Sequence, residues 1–203
     1  ERRRVAVHEA GHAVVLGALG KGDEVSRVSV VARGRAAGRV TAGADEDLVV
    51  LSLSQLEAQL VALLAGTAAE QLVLGEGSTG GEDDLQRASA LARDVVGRYG
   101  LSPLGRLRLL AAGTDGYLGG DVAPADLAPE THAAFDAETL RVLERAERAA
   151  TDLLVAHRAS LDVLVERLLA EETLEAAALA GLLPSHSPVP VPATKRTRGR
   201  VSL

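Results

Sequence analysis

The apolar residues of this chain are almost all Ala, Leu and Val, which limits the kind of core it can build. Its 203 residues contain no Cys, Met or Trp, and only 2 Tyr and 1 Phe. The hydrophobic fraction of 47% is nevertheless enough for one domain of ordinary size, or for a domain with a tail. Because Cys is absent, the chain cannot contain a disulfide scaffold, a Cys-ligated zinc site, an iron–sulfur cluster or a thiol nucleophile.

The spacing of the apolar residues predicts a mainly α fold. Helical periodicity predicts helices over residues 2–19, 54–74, 82–99, 129–157, 160–169 and 173–182. Ser54, followed three residues later by Glu57, matches a capping box at the start of the second helix. Apolar and polar residues alternate over 25–31, which predicts a strand, and residues 39–42 are a candidate second strand. The expected architecture is therefore helical, with a small β element near the N-terminus.

The last twenty residues differ in composition from the rest of the chain. They hold four of the 7 prolines and four basic residues but no acid, although the net charge of the whole chain is −6. We expect a domain over residues 1–183 and a disordered, Pro-rich basic tail over 184–203. The rest of the chain is acidic and lacks the clustered Lys and Arg that binding to nucleic acid requires, so no nucleic-acid partner is expected. No apolar run is long enough to span a membrane, and we expect this fragment, which begins with Glu1, to be a soluble piece of a longer protein.

One short motif carries chemistry. His8-Glu9-Ala10-Gly11-His12 is an H-E-x-x-H pattern within the first predicted helix. Residues four apart lie about 40° from each other around a helix axis, so both imidazoles point the same way and can hold one metal ion. Imidazole suits Zn²⁺, and Glu9, rotated away from the ligand face, is placed to act as the general base. The alternative is two histidines that share a helix face by chance.

A catalytic zinc site needs a third protein ligand. No His occurs between His12 and His132, and His132 and His157 lie among Ala, Arg and Glu in later helices, as surface residues would. The third ligand is therefore expected to be a carboxylate close to the glycine-rich loop at 75–81. Four carboxylates meet that description: Glu70, Glu82, Asp83 and Asp84.

Several further segments, in order along the chain, resemble one family. The H-E-x-x-H motif is followed by an Arg-Gly-Arg-Ala-Ala-Gly turn at 33–38 and by Ala-Gly-Thr-Ala-Ala-Glu at 65–70. Next come Ser-Thr-Gly-Gly-Glu-Asp-Asp at 78–84 and Ala-Ser-Ala-Leu-Ala-Arg at 88–93. Together they resemble the protease domain of FtsH, a membrane-associated AAA⁺ ATP-dependent zinc metalloprotease, over nearly all of residues 1–183. Two departures are Asp83, where the family usually has Asn, and Thr67, where it usually has Arg.

The resemblance implies a helical, zincin-like metalloprotease domain. By position, it implies Zn²⁺ ligands at His8, His12 and Asp84, with Glu9 as the catalytic base; Asp83 stays open as a substitute ligand. Glu70 matches a residue close to the metal, either supporting a ligand or serving only the helix. The implied whole protein degrades unfolded or membrane-extracted polypeptides. It is a homo-hexamer with an upstream AAA⁺ ATPase domain and a membrane anchor, and it faces the cytoplasm.

Other interpretations are weaker. A non-catalytic ring-assembly domain would keep the fold but would not need the metal motif. Gly75-Glu-Gly-Ser-Thr-Gly80 fits the G-x-G-x-x-G pattern, yet it follows a predicted helix, whereas a dinucleotide fingerprint follows a strand. The strand segment at 28–32 is expected either to serve the fold alone or to offer an edge on which an extended substrate pairs.

Overall fold

The architecture is that of a helical domain with one small sheet. The computed structural model describes residues 1–31, 39–42, 50–110 and 127–185. The family-like turn at 33–38 and residues 186–203 of the expected tail lie outside this range. Pro184, the first residue of the expected tail, lies inside it and packs against Gly17.

Six helices occur in the described residues, and most begin and end close to the predicted positions. They are α1 (Arg2–Leu16), α2 (Leu53–Leu74), α3 (Glu82–Arg93), α4 (Pro129–Ala156), α5 (Arg158–Glu171) and α6 (Ala176–Leu179). A π-helical turn, Gly17–Lys21, extends α1, and another, Asp94–Arg98, extends α3. A 3₁₀ turn at Gly22–Glu24 leads into the sheet, and another at Thr79–Gly81 leads into α3.

α2 begins with a capping box, but not with the one predicted. Ser52, not Ser54, is the N-cap: its side chain accepts from the backbone of Gln55, and the Gln55 side chain accepts from the backbone of Ser52. The observed pair, Ser52 and Gln55, and the predicted pair, Ser54 and Glu57, both fit the sequence pattern of a capping box. Glu57 is buried and faces Arg145 of α4 at 3.7 Å, which leaves it unable to cap the helix.

The sheet has three antiparallel strands in the order β2-β1-β3, formed by Arg39–Ala42, Val25–Ser29 and Thr173–Glu175. β3 occupies the beginning of a segment predicted as helix, so that prediction is wrong over 173–175. The reason is a long-range contact: Val28 of β1 pairs with Leu174, which is fully buried, and helix resumes only at α6.

β1 is the central strand of this sheet. Val28 pairs with Val40 on one side and with Leu174 on the other. Its backbone groups are therefore used within the fold, and the expectation that β1 offers a substrate-binding edge is wrong.

The core is built almost entirely from Ala, Val and Leu, as the composition predicts. Phe135 is the one aromatic residue among the buried apolar residues that the structure describes. α1 packs most extensively on α2 and then on α5. Gly11 allows the first contact, because a Cβ at this position would lie 2.5 Å from the Cβ of Ala69 and 2.7 Å from the carbonyl oxygen of Ala65. None of the helices in the described ranges is both long enough and apolar enough to cross a membrane.

Candidate metal centre

Two imidazoles converge on the face of α1 that packs against α2. His8 and His12 are one helical turn apart, and their Nε2 atoms are 3.1 Å apart. The rings meet edge to face, with centroids 4.8 Å apart and planes at 72°. The i, i+4 spacing of the motif therefore brings two nitrogen atoms to one point, as the sequence predicts.

The outer nitrogen of each ring is held by α2. Nδ1 of His12 lies 2.8 Å from the carbonyl oxygen of Ala62, which can only accept, so this nitrogen carries the proton. Nδ1 of His8 lies 2.8 Å from Oε1 of Glu70, and Arg4 contacts the other oxygen of that carboxylate. These bonds orient both rings so that Nε2 of each faces inward, the atom that carries the lone pair when the ring is neutral.

A carboxylate completes the cluster from the first turn of α3. Oδ2 of Asp84 lies 3.1 Å from Nε2 of His12 and 3.3 Å from Nε2 of His8. When both imidazoles are neutral and their outer nitrogens carry the protons, three lone-pair atoms face one another. Ligand atoms of a tetrahedral Zn²⁺ are separated by about 3.3 Å, so this donor set and its spacing fit the ion.

The electrostatics of the cluster favour positive charge at its centre. Burial raises the pKa of Asp84, but the hydrogen bonds from His12 and His8 outweigh this effect and hold the pKa well below its usual range. Burial lowers the pKa of His8, but the hydrogen bonds to Asp84 and Glu70 outweigh it and raise the pKa above its ordinary value. A proton and a metal cation compete for such a site.

Glu9 lies close to the cluster without joining it. It is only 7% exposed, and burial raises its pKa, although the nearby His12 and His8 oppose this shift. The backbone N–H of Val40, on β2, interacts with its carboxylate. A carboxylate with a raised pKa can both accept and return a proton near neutral pH.

Comparison with known proteins identifies the family. The sequence matches Peptidase family M41 over residues 1–182. The chain belongs to peptidase family M41. This M41 domain is 39% identical over 191 residues to the ATP-dependent zinc metalloprotease FtsH 2 of Sphaerobacter thermophilus, covering 94% of the chain and 28% of that relative. It is also 38% identical over 216 residues to the ATP-dependent zinc metalloprotease FtsH of Syntrophus aciditrophicus, covering 100% of the chain and 29% of the relative.

The family match confirms several expectations for this M41 domain. The resemblance to the FtsH protease domain, the mainly α fold and the peptidase class are all confirmed. A non-catalytic ring-assembly domain is not favoured. The chain spans under a third of the length of these relatives, at 28% and 29%. The assignment of individual site residues stays a prediction.

The other candidate ligands of the M41 domain lie outside the cluster. In the described ranges, His8, His12 and Asp84 form the one group of three potential ligands close enough to hold a metal ion. Glu82 and Asp83 are exposed, although they neighbour Asp84 in α3. Glu70 contacts His8 from outside the cluster, which fits the first of the two alternatives for this residue, support of a ligand.

Two α2 positions contribute to the site in ways that no sequence motif indicates. Ala62 acts through its backbone carbonyl, which no side-chain pattern can reveal. Gly66 lies directly against the imidazoles: a Cβ there would be 2.5 Å from Nε2 of His8 and 2.6 Å from Nε2 of His12. The only available signal was a glycine in the interior of a predicted helix, where it is unfavourable without a packing reason.

Proposed function

We propose that this chain hydrolyses peptide bonds with Zn²⁺ held by His8, His12 and Asp84. The observation that supports the proposal most strongly is the inward-facing set of two Nε2 atoms and one carboxylate oxygen, spaced 3.1–3.3 Å apart. The outer hydrogen bonds of both rings explain why Nε2, the atom that would bind the ion, faces inward on each. Three protein ligands leave a tetrahedral ion one open position, which is the pattern of catalytic zinc sites.

The chain is a metalloendopeptidase domain, and Zn²⁺ is its cofactor, as in the relatives named zinc metalloproteases. When bound, Zn²⁺ supplies Lewis-acid chemistry, polarising the peptide carbonyl and lowering the pKa of water. His8, His12 and Asp84 supply two neutral donors and one negative donor. Glu70 and the Ala62 carbonyl keep the imidazoles in the tautomer that presents Nε2.

Glu9 carries the proton transfers. Its carboxylate oxygen accepts a proton from the attacking water and then delivers it to the nitrogen of the leaving amine. Its buried position and raised pKa support this role, because they hold the carboxyl group closer to neutral pH than an exposed Glu. We do not place Glu9 among the ligands.

The substrate and assembly implied by the family resemblance are proposals for the whole protein. The substrates are unfolded or membrane-extracted polypeptides, delivered by an upstream AAA⁺ ATPase domain that is membrane-anchored and faces the cytoplasm. Six protease domains form a homo-hexameric ring. Exposed large apolar side chains on the helices support such contacts: Leu85 is 55% exposed, Leu140 57% and Val163 45%. The boundary between a domain at 1–183 and a tail at 184–203 is proposed as well.

Casein cleavage by the zinc-loaded chain tests the catalytic assignment. Glu9→Gln is expected to retain Zn²⁺ and to lose activity by roughly 100-fold or more, because the amide cannot accept the proton. Glu82→Gln makes the same change on an exposed residue of α3 and is expected to retain activity. A chelator should abolish cleavage in the wild-type chain. Full activity of Glu9→Gln would contradict the assignment.

A further inference from the structure

One arginine contacts two segments that support the proposed ligands. Arg4 is on α1, one turn before His8, and its side chain is 27% exposed. Its Nη1 atom donates to Oε2 of Glu70 at 2.8 Å and to the carbonyl oxygen of Glu76 at 3.0 Å. Its Nη2 atom donates to Oε1 of Glu76 at 2.8 Å. Arg4 therefore joins α1 to α2 and to the loop at 75–81.

The contact between Arg4 and Glu70 affects the orientation of the His8 imidazole. The Glu70 side chain is 1% exposed, so its charge needs a partner within the protein. Its two oxygens have different partners: Oε2 accepts from Arg4, and Oε1 accepts from Nδ1 of His8, while the Ser78 side chain also interacts with the carboxylate. Because its two oxygens are held by different partners, rotation of the carboxylate is restricted and Oε1 stays directed at the imidazole.

The contact between Arg4 and Glu76 affects the position of the loop that leads to Asp84. Glu76 lies in the short connection between the end of α2 and the start of α3, and Asp84 is in the first turn of α3. Two donors from the same guanidinium hold this connection next to α1. The loop therefore approaches His8 and His12 through a protein contact that does not involve a metal ion.

We propose that Arg4 is a positioning residue, which pre-organises the metal centre by fixing Glu70 against His8 and the 75–81 loop against α1. This inference rests on the proposed function, because it assumes that His8 and Asp84 hold Zn²⁺. Arg4 itself contacts neither the ligand atoms nor the substrate. Its removal is expected to weaken Zn²⁺ binding by about 10- to 100-fold, the range typical of residues that orient a ligand.

Arg3 provides a matched control. It is the same residue type, one position earlier on α1, but its side chain is exposed. Arg3→Ala and Arg4→Ala remove the same charge from the same turn of helix. Zn²⁺ affinity is measured by competition with a chromophoric chelator, and the visible spectrum of the Co²⁺-substituted chain reports ligand geometry. Circular dichroism of each metal-free variant checks the fold.

Arg4→Ala is expected to lose about 10-fold or more in Zn²⁺ affinity and to shift the Co²⁺ bands, while Arg3→Ala stays within about threefold of wild type. Equal affinities and spectra for the two variants would overturn the role of Arg4. If Arg4→Ala does not fold, Arg4→Lys against Arg3→Lys carries the test. Lys keeps the charge but cannot hold Glu70 and Glu76 together, so a loss confined to Arg4→Lys is expected, and equality overturns the proposal. A wild-type chain that bound no Zn²⁺ would instead overturn the proposed function.

Discussion

Replacing Gly66 by Ala tests how closely α2 must approach the two imidazoles. An added Cβ would lie 2.5 Å from Cε1 and Nε2 of His8 and 2.6 Å from Nε2 of His12. Comfortable contact requires about 3.5 Å, so α2 or the rings must move by about 1 Å. Metal–ligand distances tolerate only about 0.2 Å, so such a displacement is incompatible with the zinc geometry.

The sign of the stability change is informative because the two effects oppose each other. At an unhindered position inside a helix, Gly→Ala stabilises by about 1 kcal/mol. Overpacking of this severity destabilises by about 1–3 kcal/mol. We therefore expect Gly66→Ala to lower the stability of the metal-free chain and to reduce Zn²⁺ affinity by about 100-fold or more.

Chelator competition and thermal unfolding measure the two effects of Gly66→Ala. Gly77→Ala is the matched control, because a Cβ at Gly77 would meet nothing within 4 Å. The control is expected to leave Zn²⁺ affinity unchanged. Gly66→Ala that bound Zn²⁺ like wild type and unfolded at a higher temperature would refute the inferred close approach.

Two further predictions concern stability. Glu172, between α5 and β3, has a φ of 62°, which is unfavourable for a residue with a side chain. Glu172→Gly is expected to raise the free energy of unfolding in urea by about 1 kcal/mol, whereas an unchanged or lower value would show that the position is not strained. Burial raises the pKa of Glu57 above its ordinary value of 4.5, an effect that nearby Arg145 only partly offsets, so the folded state holds this proton more tightly than the unfolded state. Its contribution to stability is therefore full below pH 4.5 and is lost as the pH rises through the higher folded pKa. Glu57→Gln is expected to match the stability of wild type near pH 4 and to exceed it at pH 7, as measured by urea unfolding at the two pH values, and a variant less stable than wild type at pH 7 would contradict this.

The features that the sequence predicts well are local ones. The convergence of His8 and His12 follows from helical spacing alone, and the structure brings their Nε2 atoms to 3.1 Å. The core of Ala, Val and Leu follows from composition, and most helix limits follow from apolar periodicity. From the residues alone, the third ligand could be narrowed to four carboxylates, and only the family resemblance singled out Asp84.

The features that the sequence does not predict depend on long-range contacts. β3 at Thr173–Glu175 is a strand because it pairs with β1, nearly 150 residues earlier, and its own residues carry little β signal. The same pairing makes β1 a central strand. The approach of Gly66 and the Ala62 carbonyl to the imidazoles is set by how α1 and α2 pack, which no local pattern specifies.

The zinc content of three purified proteins tests the central claim most directly. Wild type, Asp84→Ala and Asp83→Ala differ at neighbouring carboxylates of α3, of which only Asp84 reaches the imidazoles. Measured by mass spectrometry after equilibration with limiting free Zn²⁺, the wild-type and Asp83→Ala chains are expected to hold one zinc ion each, and Asp84→Ala close to none. Zinc retained by Asp84→Ala, or lost from Asp83→Ala, would contradict a site formed by His8, His12 and Asp84.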